Sequence, residues 1–279
     1  MTILLATDSS LSADPAILVQ PAHAVLPLPL VDDGVAATIL SAATAAEPFV
    51  VVVRPALARP ARRAVVESFA DPTAVIACVA ALSQLGARLL VHLLTAVEAQ
   101  YGTAAAAELA GPLTAAVESR LVLSTVSRLD DPAPSVAQHV RSWLPGATFQ
   151  VLSGRRRAVL SGLAEAAGRR TPRTDELSLF ASSAGCPPAL REGARALAQL
   201  RPCVELPPWP EPGHETAGRW AELVTWSPSE VQAIVSRWVA RTPVPCRWCA
   251  RPSRLPVCAS CGALAGPASP VATEEAQPA

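Results

Sequence analysis

The first part of the chain alternates short apolar runs with turn residues, which predicts β-strands. Asp33-Gly34 lies between two such runs and predicts a hairpin, because glycine accepts a positive φ. Pro27 and Pro29 cannot donate ladder hydrogen bonds, so they place their strand at a sheet edge. The run "PFVVVV" (48–53) is unbroken and β-branched, which is typical of a strand buried on both faces.

From residue 59 to residue 143 the pattern predicts helices built from Ala and Leu. Asp71-Pro72 is typical of an N-cap followed by proline at the first helical position, and it predicts a helix over 73–86. Further helices are predicted over 87–102, with Gly102 as the end, and over 112–129. Ser135 predicts the start of another short helix.

The second half of the chain alternates between the two kinds of element. The pattern predicts a strand over 147–152, a helix with basic ends over 155–170 and a helix over 187–200. The sequence Ser227-Pro228-Ser229-Glu230 is typical of a capping box, and it predicts a helix that runs to about residue 241.

Composition supports a folded chain with an aliphatic core. Hydrophobic residues make up 51% of the 279 residues, charged residues 16% and aromatic residues 4%. The chain contains no Lys, and all 23 basic residues are Arg; the codon usage of a GC-rich genome explains such a bias. The missing Lys excludes a Walker A phosphate loop, the Ser-x-x-Lys hydrolase motif and any Schiff-base mechanism.

Charge is unevenly distributed although the net charge is zero. From Arg141 to Arg173 there are seven Arg and one acidic residue, Glu165, and from Arg237 to Cys261 there are five Arg and no acidic residue. We therefore expect two basic faces on a neutral protein.

No secretion signal or membrane span is predicted. The N-terminus lacks a positive n-region, and Gln84, Gly86, Arg88 and His92 interrupt the longest apolar region, 74–97. Paired cysteines without a secretion signal favour a reducing compartment, so the sequence predicts a cytoplasmic protein.

Four of the seven cysteines form two Cys-x-x-Cys pairs: Cys246 with Cys249, and Cys258 with Cys261. Each pair predicts a tight turn that directs both sulfurs to one point, and two such turns complete a tetrahedral four-sulfur site. All four positions are filled by protein, so the site is predicted to be structural, with Zn²⁺ supplying folding free energy.

This stretch, about residues 245–264, resembles the short zinc-ribbon modules with two cysteine knuckles. The resemblance implies Cys-x-x-Cys-Gly in each knuckle; the second has Gly262, whereas the first has Ala250. An iron site with four thiolates shares the same ligands, and unligated redox thiols are a third reading.

Three arginines and one tryptophan surround the predicted ligands: Arg247, Trp248, Arg251 and Arg254. One hypothesis is nucleic-acid contact, with guanidinium groups on phosphate and the indole stacked on a base. The other is local: the arginines offset the charge of four thiolates on a divalent ion, and Trp248 packs on the preceding helix.

Together these patterns predict an α+β fold with a small N-terminal β-sheet, an Ala/Leu-rich helical body and a C-terminal zinc knuckle. The predicted parts are a β-rich part (1–57), a helical body (58–175), a second helical section with a Pro-rich linker (176–242), the zinc ribbon (243–264) and a disordered tail (265–279).

The function predicted on this basis is non-enzymatic: an intracellular bacterial accessory or regulatory protein. Its zinc ribbon would present a basic surface to nucleic acid or a protein partner. The alternatives are an enzyme of unknown class with a structural zinc site, for which no catalytic motif is found, and a purely protein-binding adaptor.

Overall fold

The computed structural model describes residues 2–6, 25–28, 49–53, 77–79, 82–127, 129, 132–163, 174–198, 202–206, 219–259 and 261–266. Within these ranges no helix combines the length and the hydropathy needed to cross a bilayer.

The N-terminal strands form a parallel sheet. They are β1 (Thr2–Ala6), β2 (Val25–Leu28), β3 (Phe49–Val53) and β4 (Ala77–Val79), in the order β2-β1-β3-β4. All three pairings are parallel, so the four carboxyl ends lie at one edge of the sheet. The strand order reverses direction between β1 and β3, which makes this edge a topological switch point.

Of the strands predicted for this part, the one that contains Pro27 and the one over 48–53 are confirmed as β2 and β3, whereas the second strand of the predicted hairpin lies outside the described residues. β2 is an edge strand of the described sheet, as Pro27 predicts, and β3 is an interior strand. Asp33 and Gly34 lie outside the described residues, but the strand before them pairs in parallel with β1. The helix predicted over 73–86 is wrong for β4, because a short apolar strand and a helical segment share the same pattern in sequence.

Two consecutive helices follow the parallel sheet: α1 (Gln84–Tyr101) and α2 (Thr103–Ala116). Gly102 separates them with a φ of 84°, a left-handed value that favours glycine, and its N–H bonds the carbonyl of Glu98. The end predicted at Gly102 is therefore confirmed.

A six-stranded mixed sheet occupies the second half of the chain. Its strands are β5 (Glu118–Leu123), β6 (Phe149–Ser153), β7 (Ala158–Ser161), β8 (Leu177–Ser182), β9 (Cys203–Glu205) and β10 (Trp220–Trp226). The order is β7-β6-β5-β10-β8-β9, antiparallel except for the β8–β9 pair.

The remaining helices are α3 (Val136–Arg141), α4 (Pro188–Ala196) and α5 (Pro228–Val239). The predicted starts of α3 and α5 are confirmed, and in both a serine side chain caps the helix. Ser135 and Gln138 form a reciprocal capping box on α3, and the Ser227 hydroxyl accepts the N–H of Glu230 on α5.

Helices cover both faces of the mixed sheet. On one face, Leu85 and Leu89 of α1 pack with Leu121, Phe149 and Val224. On the other face, Leu190 and Ala194 of α4 pack against the sheet residues Val122, Phe180 and Leu223. These strand residues point to the face opposite the first set, because side chains alternate along a strand. α1 also contacts β1, and α2 contacts β3 and β4, so these two helices join the two sheets.

The predicted fold class is wrong. Strand β5 lies in the middle of the helix predicted over 112–129, and β7 lies within the helix predicted over 155–170. The predicted helical body is therefore divided between the α1–α2 layer and a large sheet. The error has a physical cause: β5 is buried on both faces, and a doubly buried strand reads as a continuous apolar run.

A buried carboxylate joins the mixed sheet to the start of α1. Glu222 of β10 accepts hydrogen bonds from the Ser119 hydroxyl (3.0 Å), the Gly86 N–H (3.3 Å) and the Ser83 hydroxyl. Ser83 is the N-cap of α1 but makes no capping bond with its own side chain, so Glu222 satisfies the first amides of the helix instead.

The site is electrostatically costly. Burial raises the pKa of Glu222, and its hydrogen bonds offset only part of that effect. Burial also lowers the pKa of Arg88 of α1 to about 10, and the nearby Glu222 carboxylate acts against that shift.

We predict that Glu222→Gln changes the pH dependence of stability. A carboxyl group whose pKa is raised by folding stabilises the protein fully below its unfolded pKa, about 4.3, and this contribution is lost as pH rises through the folded pKa. The free energy of unfolding of the Gln variant should therefore increase relative to wild type between pH 4.5 and pH 8, in urea titrations. The exposed Glu192→Gln is the matched control, and a parallel pair of pH curves for wild type and Glu222→Gln would contradict the assignment.

Candidate metal centre

The cysteine cluster lies directly after α5. The chain forms a short antiparallel pair, β11 (Val244–Pro245) and β12 (Pro252–Ser253), whose connection is the first Cys-x-x-Cys knuckle. The second knuckle follows β12, and isolated bridges Cys246–Ala265 and Val257–Leu264 close the module.

The two knuckles have equivalent backbone geometry. In the first, the N–H of Ala250 bonds the Cys246 carbonyl (3.1 Å); in the second, the N–H of Gly262 bonds the Cys258 carbonyl (2.9 Å). The amides of both leading cysteines are also paired, Cys246 with the carbonyl of Arg251 and Cys258 with that of Ala263, at 2.8 Å each. Each turn thus closes on its own leading cysteine.

The four sulfurs converge as the spacing predicts. The ligand atoms of Cys246, Cys249, Cys258 and Cys261 all lie within 4.8 Å of one another. Across the knuckles, the Cys246 and Cys261 sulfurs are 3.4 Å apart and the Cys249 and Cys258 sulfurs 3.7 Å apart. A tetrahedral ion with bonds of about 2.3 Å needs sulfurs about 3.8 Å apart, so the cluster could hold a metal ion.

Backbone amides prepare one of these sulfurs to act as a thiolate. N–H groups of Cys249 and Trp248 donate to the Cys246 sulfur and lower the pKa of that thiol to about 6. Burial instead raises the pKa of Cys261 to about 12. A divalent ion favours the deprotonated form of every ligand, so it would remove this difference.

The first knuckle carries the one non-glycine residue with a positive φ among the described residues. Ala250 has a φ of 57°, and its counterpart Gly262 has a φ of 75°. The missing glycine therefore leaves the geometry of the knuckle unchanged, but alanine adopts this conformation at a cost of about 1 kcal/mol.

The four residues predicted to contact nucleic acid differ in their exposure and in their contacts. Trp248 is 84% exposed, so it does not pack on the preceding helix. Arg247 donates from Nε to the Gly266 carbonyl (3.1 Å), within the module. Arg251 is half-buried, and the guanidinium of Arg254 donates a hydrogen bond to the carbonyl of Val239 on α5.

A buried carboxylate that sequence analysis missed fastens the module to the helices. Glu108 of α2 accepts the Trp238 Nε1–H (2.6 Å) and the backbone N–H of Arg254 (3.0 Å). The Arg254 guanidinium lies 4.8 Å from the centre of the Trp238 ring and donates to the carbonyl of Val239 (2.7 Å) and to that of Arg241, at the end of α5. We call Glu108, Trp238 and Arg254 the docking triad.

Apolar contacts extend the docking triad. Leu255 packs against the cluster formed by α1, α2 and α5, and Ala259 packs against Ala107 of α2. The cysteine module is thus part of the folded body. A sequence signal for this contact existed in Glu108, the only acidic residue of an Ala-rich helix, but its partner lies 146 residues away.

Comparison with known proteins identifies the fold. No family model matches the sequence, and no curated protein matches it. The structure is similar to the DegV family protein Cg2579 from Corynebacterium glutamicum, with a TM-score of 0.57, 10% identity, and coverage of 81% of this chain and 96% of that one.

Two further solved structures have the same fold. A DegV-family protein from Ruminococcus gnavus, solved with vaccenic acid, has a TM-score of 0.53 at 10% identity over 80% of this chain and 98% of its own. A stearic acid-binding protein from Eubacterium ventriosum has a TM-score of 0.52 at 12% identity over 74% and 78% of the two chains.

These similarities correct several predictions. The fold is that of the DegV proteins, and not a small sheet with a helical body and a terminal knuckle. The predicted function of a zinc-ribbon regulator with a nucleic-acid or protein partner is wrong, because two of these structures with the same fold are described with stearic acid and vaccenic acid. Of the metal prediction, the convergence of the four cysteines is confirmed.

We predict that Ala250→Gly strengthens metal binding by the module. Glycine removes the left-handed strain, about 1 kcal/mol, which corresponds to a roughly fivefold lower Kd. The measurement is zinc competition with a chromophoric chelator. Ala263→Gly is the matched control, since Ala263 is not among the described residues with a positive φ; equal gains in both variants, or none in Ala250→Gly, would refute the assignment of strain.

Proposed function

We propose that the chain binds a long-chain fatty acid. The observation that carries this proposal is the fold itself, a parallel sheet joined through α1 and α2 to a six-stranded mixed sheet. That arrangement matches 96% of the length of a DegV protein, and two structures of the same fold are described with stearic and vaccenic acid.

The topology indicates where the carboxylate of the ligand would bind. In open parallel sheets, ligands bind outside the carboxyl ends of the strands at the point where the order reverses, here between β1 and β3. In the sequence, Ser9 and Ser10 follow β1 and Arg54 follows β3; these three residues lie outside the described part of the chain. Hydroxyl and guanidinium groups are suitable donors to a carboxylate.

The chemistry required is binding and orientation of the ligand. An acyl chain needs an apolar lining, and this chain has the aliphatic composition to provide one, with 51% hydrophobic and 4% aromatic residues. A charged head needs one or two polar donors to fix its orientation, which is the role we assign to the switch point between β1 and β3.

A titration of delipidated protein with stearate tests this proposal. We expect saturable binding of one equivalent and, in Arg54→Ala, a loss of affinity of about tenfold to a hundredfold, the value of a charge-assisted hydrogen bond. Arg195→Ala, which removes an exposed surface cation paired with Glu205, should bind as wild type does. No saturable binding, or equal affinity in Arg54→Ala, would contradict the proposal.

We also infer that the cysteine module holds one structural Zn²⁺. All four ligands are sulfur and come from the protein, which leaves no position for a substrate. Bound zinc would supply folding free energy to the module, and the docking triad would carry part of that stability to α2 and α5.

Removal of the metal should therefore destabilise the helical layer. Cys258→Ser, or a chelator, should lower the free energy of unfolding by about 2 kcal/mol or more, because Glu108 loses the ordered partner provided by Arg254. Thermal melts of the full chain measure this, and Cys186→Ser, which lies outside the cluster, is the control. If elemental analysis finds iron instead of zinc, the assignment of the metal changes to iron. A Cys258→Ser variant as stable as wild type would contradict the coupling between the metal site and the helical layer.

A further inference from the structure

Helix α3 and the turn after it present large apolar side chains to solvent. The four exposed residues are Val136 (79%), Val140 (52%), Trp143 (78%) and Leu144 (61%), and α3 has no buried residue. Backbone bonds from Trp143 to Val140 and from Leu144 to Arg141 continue the helical winding through this turn. Isolated exposed aliphatic residues are common, but a tryptophan and three neighbours on one element form a patch that indicates an interaction site.

The geometry of α3 directs this patch away from the protein. At 100° per residue, the four apolar positions fall within an arc of about 100°. Gln138 lies on the opposite side, where its side-chain amide donates to the Val159 carbonyl of β7 (2.8 Å). Gln138 also completes the capping box with Ser135, so one residue both starts the helix and attaches its polar side to the sheet. We call the four exposed side chains the apolar arc.

The segment that carries the apolar arc is basic. The described segment 132–163 contains α3, β6 and β7, and it carries four arginines and no Asp or Glu. Arg141 ends α3, and Arg155, Arg156 and Arg157 are exposed in the turn that leads into β7. Glu230 of α5 pairs with Arg155, so part of this charge is balanced from outside the segment. The combination complements a surface that is anionic outside and apolar beneath.

We propose that the apolar arc docks this protein onto the surface of an anionic lipid bilayer. Tryptophan and aliphatic side chains on one side of a helix, with arginine beside them, are the features of elements that lie in the membrane interface. Such elements enter about 5–10 Å, which is the reach of side chains on a short helix. The arginines contact lipid phosphates, and the body of the protein stays in water.

Docking would bring the chain, as a protein proposed to bind a fatty acid, to the bilayer in which that ligand dissolves. The inference nevertheless stands on residues other than those of the ligand site, and it does not depend on the binding of a fatty acid. Failure of stearate binding and failure of membrane docking are therefore separate results.

Vesicle flotation of the full chain tests the docking. The probes are vesicles of phosphatidylcholine alone and vesicles with 30% phosphatidylglycerol, at 0.05 M and 0.5 M NaCl. We expect binding to the anionic vesicles that weakens with salt, and a loss of at least about tenfold in the partition coefficient of Trp143→Ser/Leu144→Ser. Val204→Ser, which removes a 60% exposed aliphatic side chain of β9, is the control and should bind as wild type does.

Two further measurements make each outcome decisive. Since the replaced side chains are exposed, the double variant should keep the wild-type melting temperature, and Arg156→Glu provides a second variant that weakens docking through charge alone. Equal partition of wild type and the double variant would overturn the proposal. Absence of vesicle binding together with a dimer that the double variant abolishes, in sedimentation velocity, would also overturn it, because a second copy of the chain would then cover the apolar arc.

Discussion

The structure depends on the burial of β5 and β10 on both faces. These central strands of the mixed sheet are almost completely enclosed, so each face needs a helical cover. α4 covers one face, and α1 covers the other while also contacting the parallel sheet. Because α1 serves two sheets, its N-terminus lies in a buried place, and its free amides must find partners inside the protein. Glu222 provides them at the cost of a buried carboxyl group.

A second buried carboxylate also satisfies donors inside the protein. Glu108 occupies a buried position on α2 and is satisfied by Trp238 of α5 and by the backbone of Arg254. The cysteine module thus completes the helical layer, and a metal ion that orders the module would also order the partner of Glu108. In this arrangement the cysteine module and the helical layer are parts of one folding unit.

Local chemistry made parts of this structure predictable from sequence. Ser135, Ser227 and Gly102 were identified because caps depend on neighbouring residues, and the four sulfurs were identified because their spacing encodes the turns. Strands β4, β5 and β7 were missed because Ala, Val and Leu fill both helices and strands in this chain. The proposed ligand class was beyond the sequence analysis, since the aliphatic side chains that would hold an acyl chain carry no motif.

The central claim is that this fold carries a fatty acid. Mass spectrometry of the organic extract of protein purified in its native state, without added lipid, tests it most directly. We predict one saturated or monounsaturated fatty acid per chain, absent from the extract of a mock purification. An extract without a fatty acid, from protein whose melting temperature also does not respond to added stearate, would contradict it.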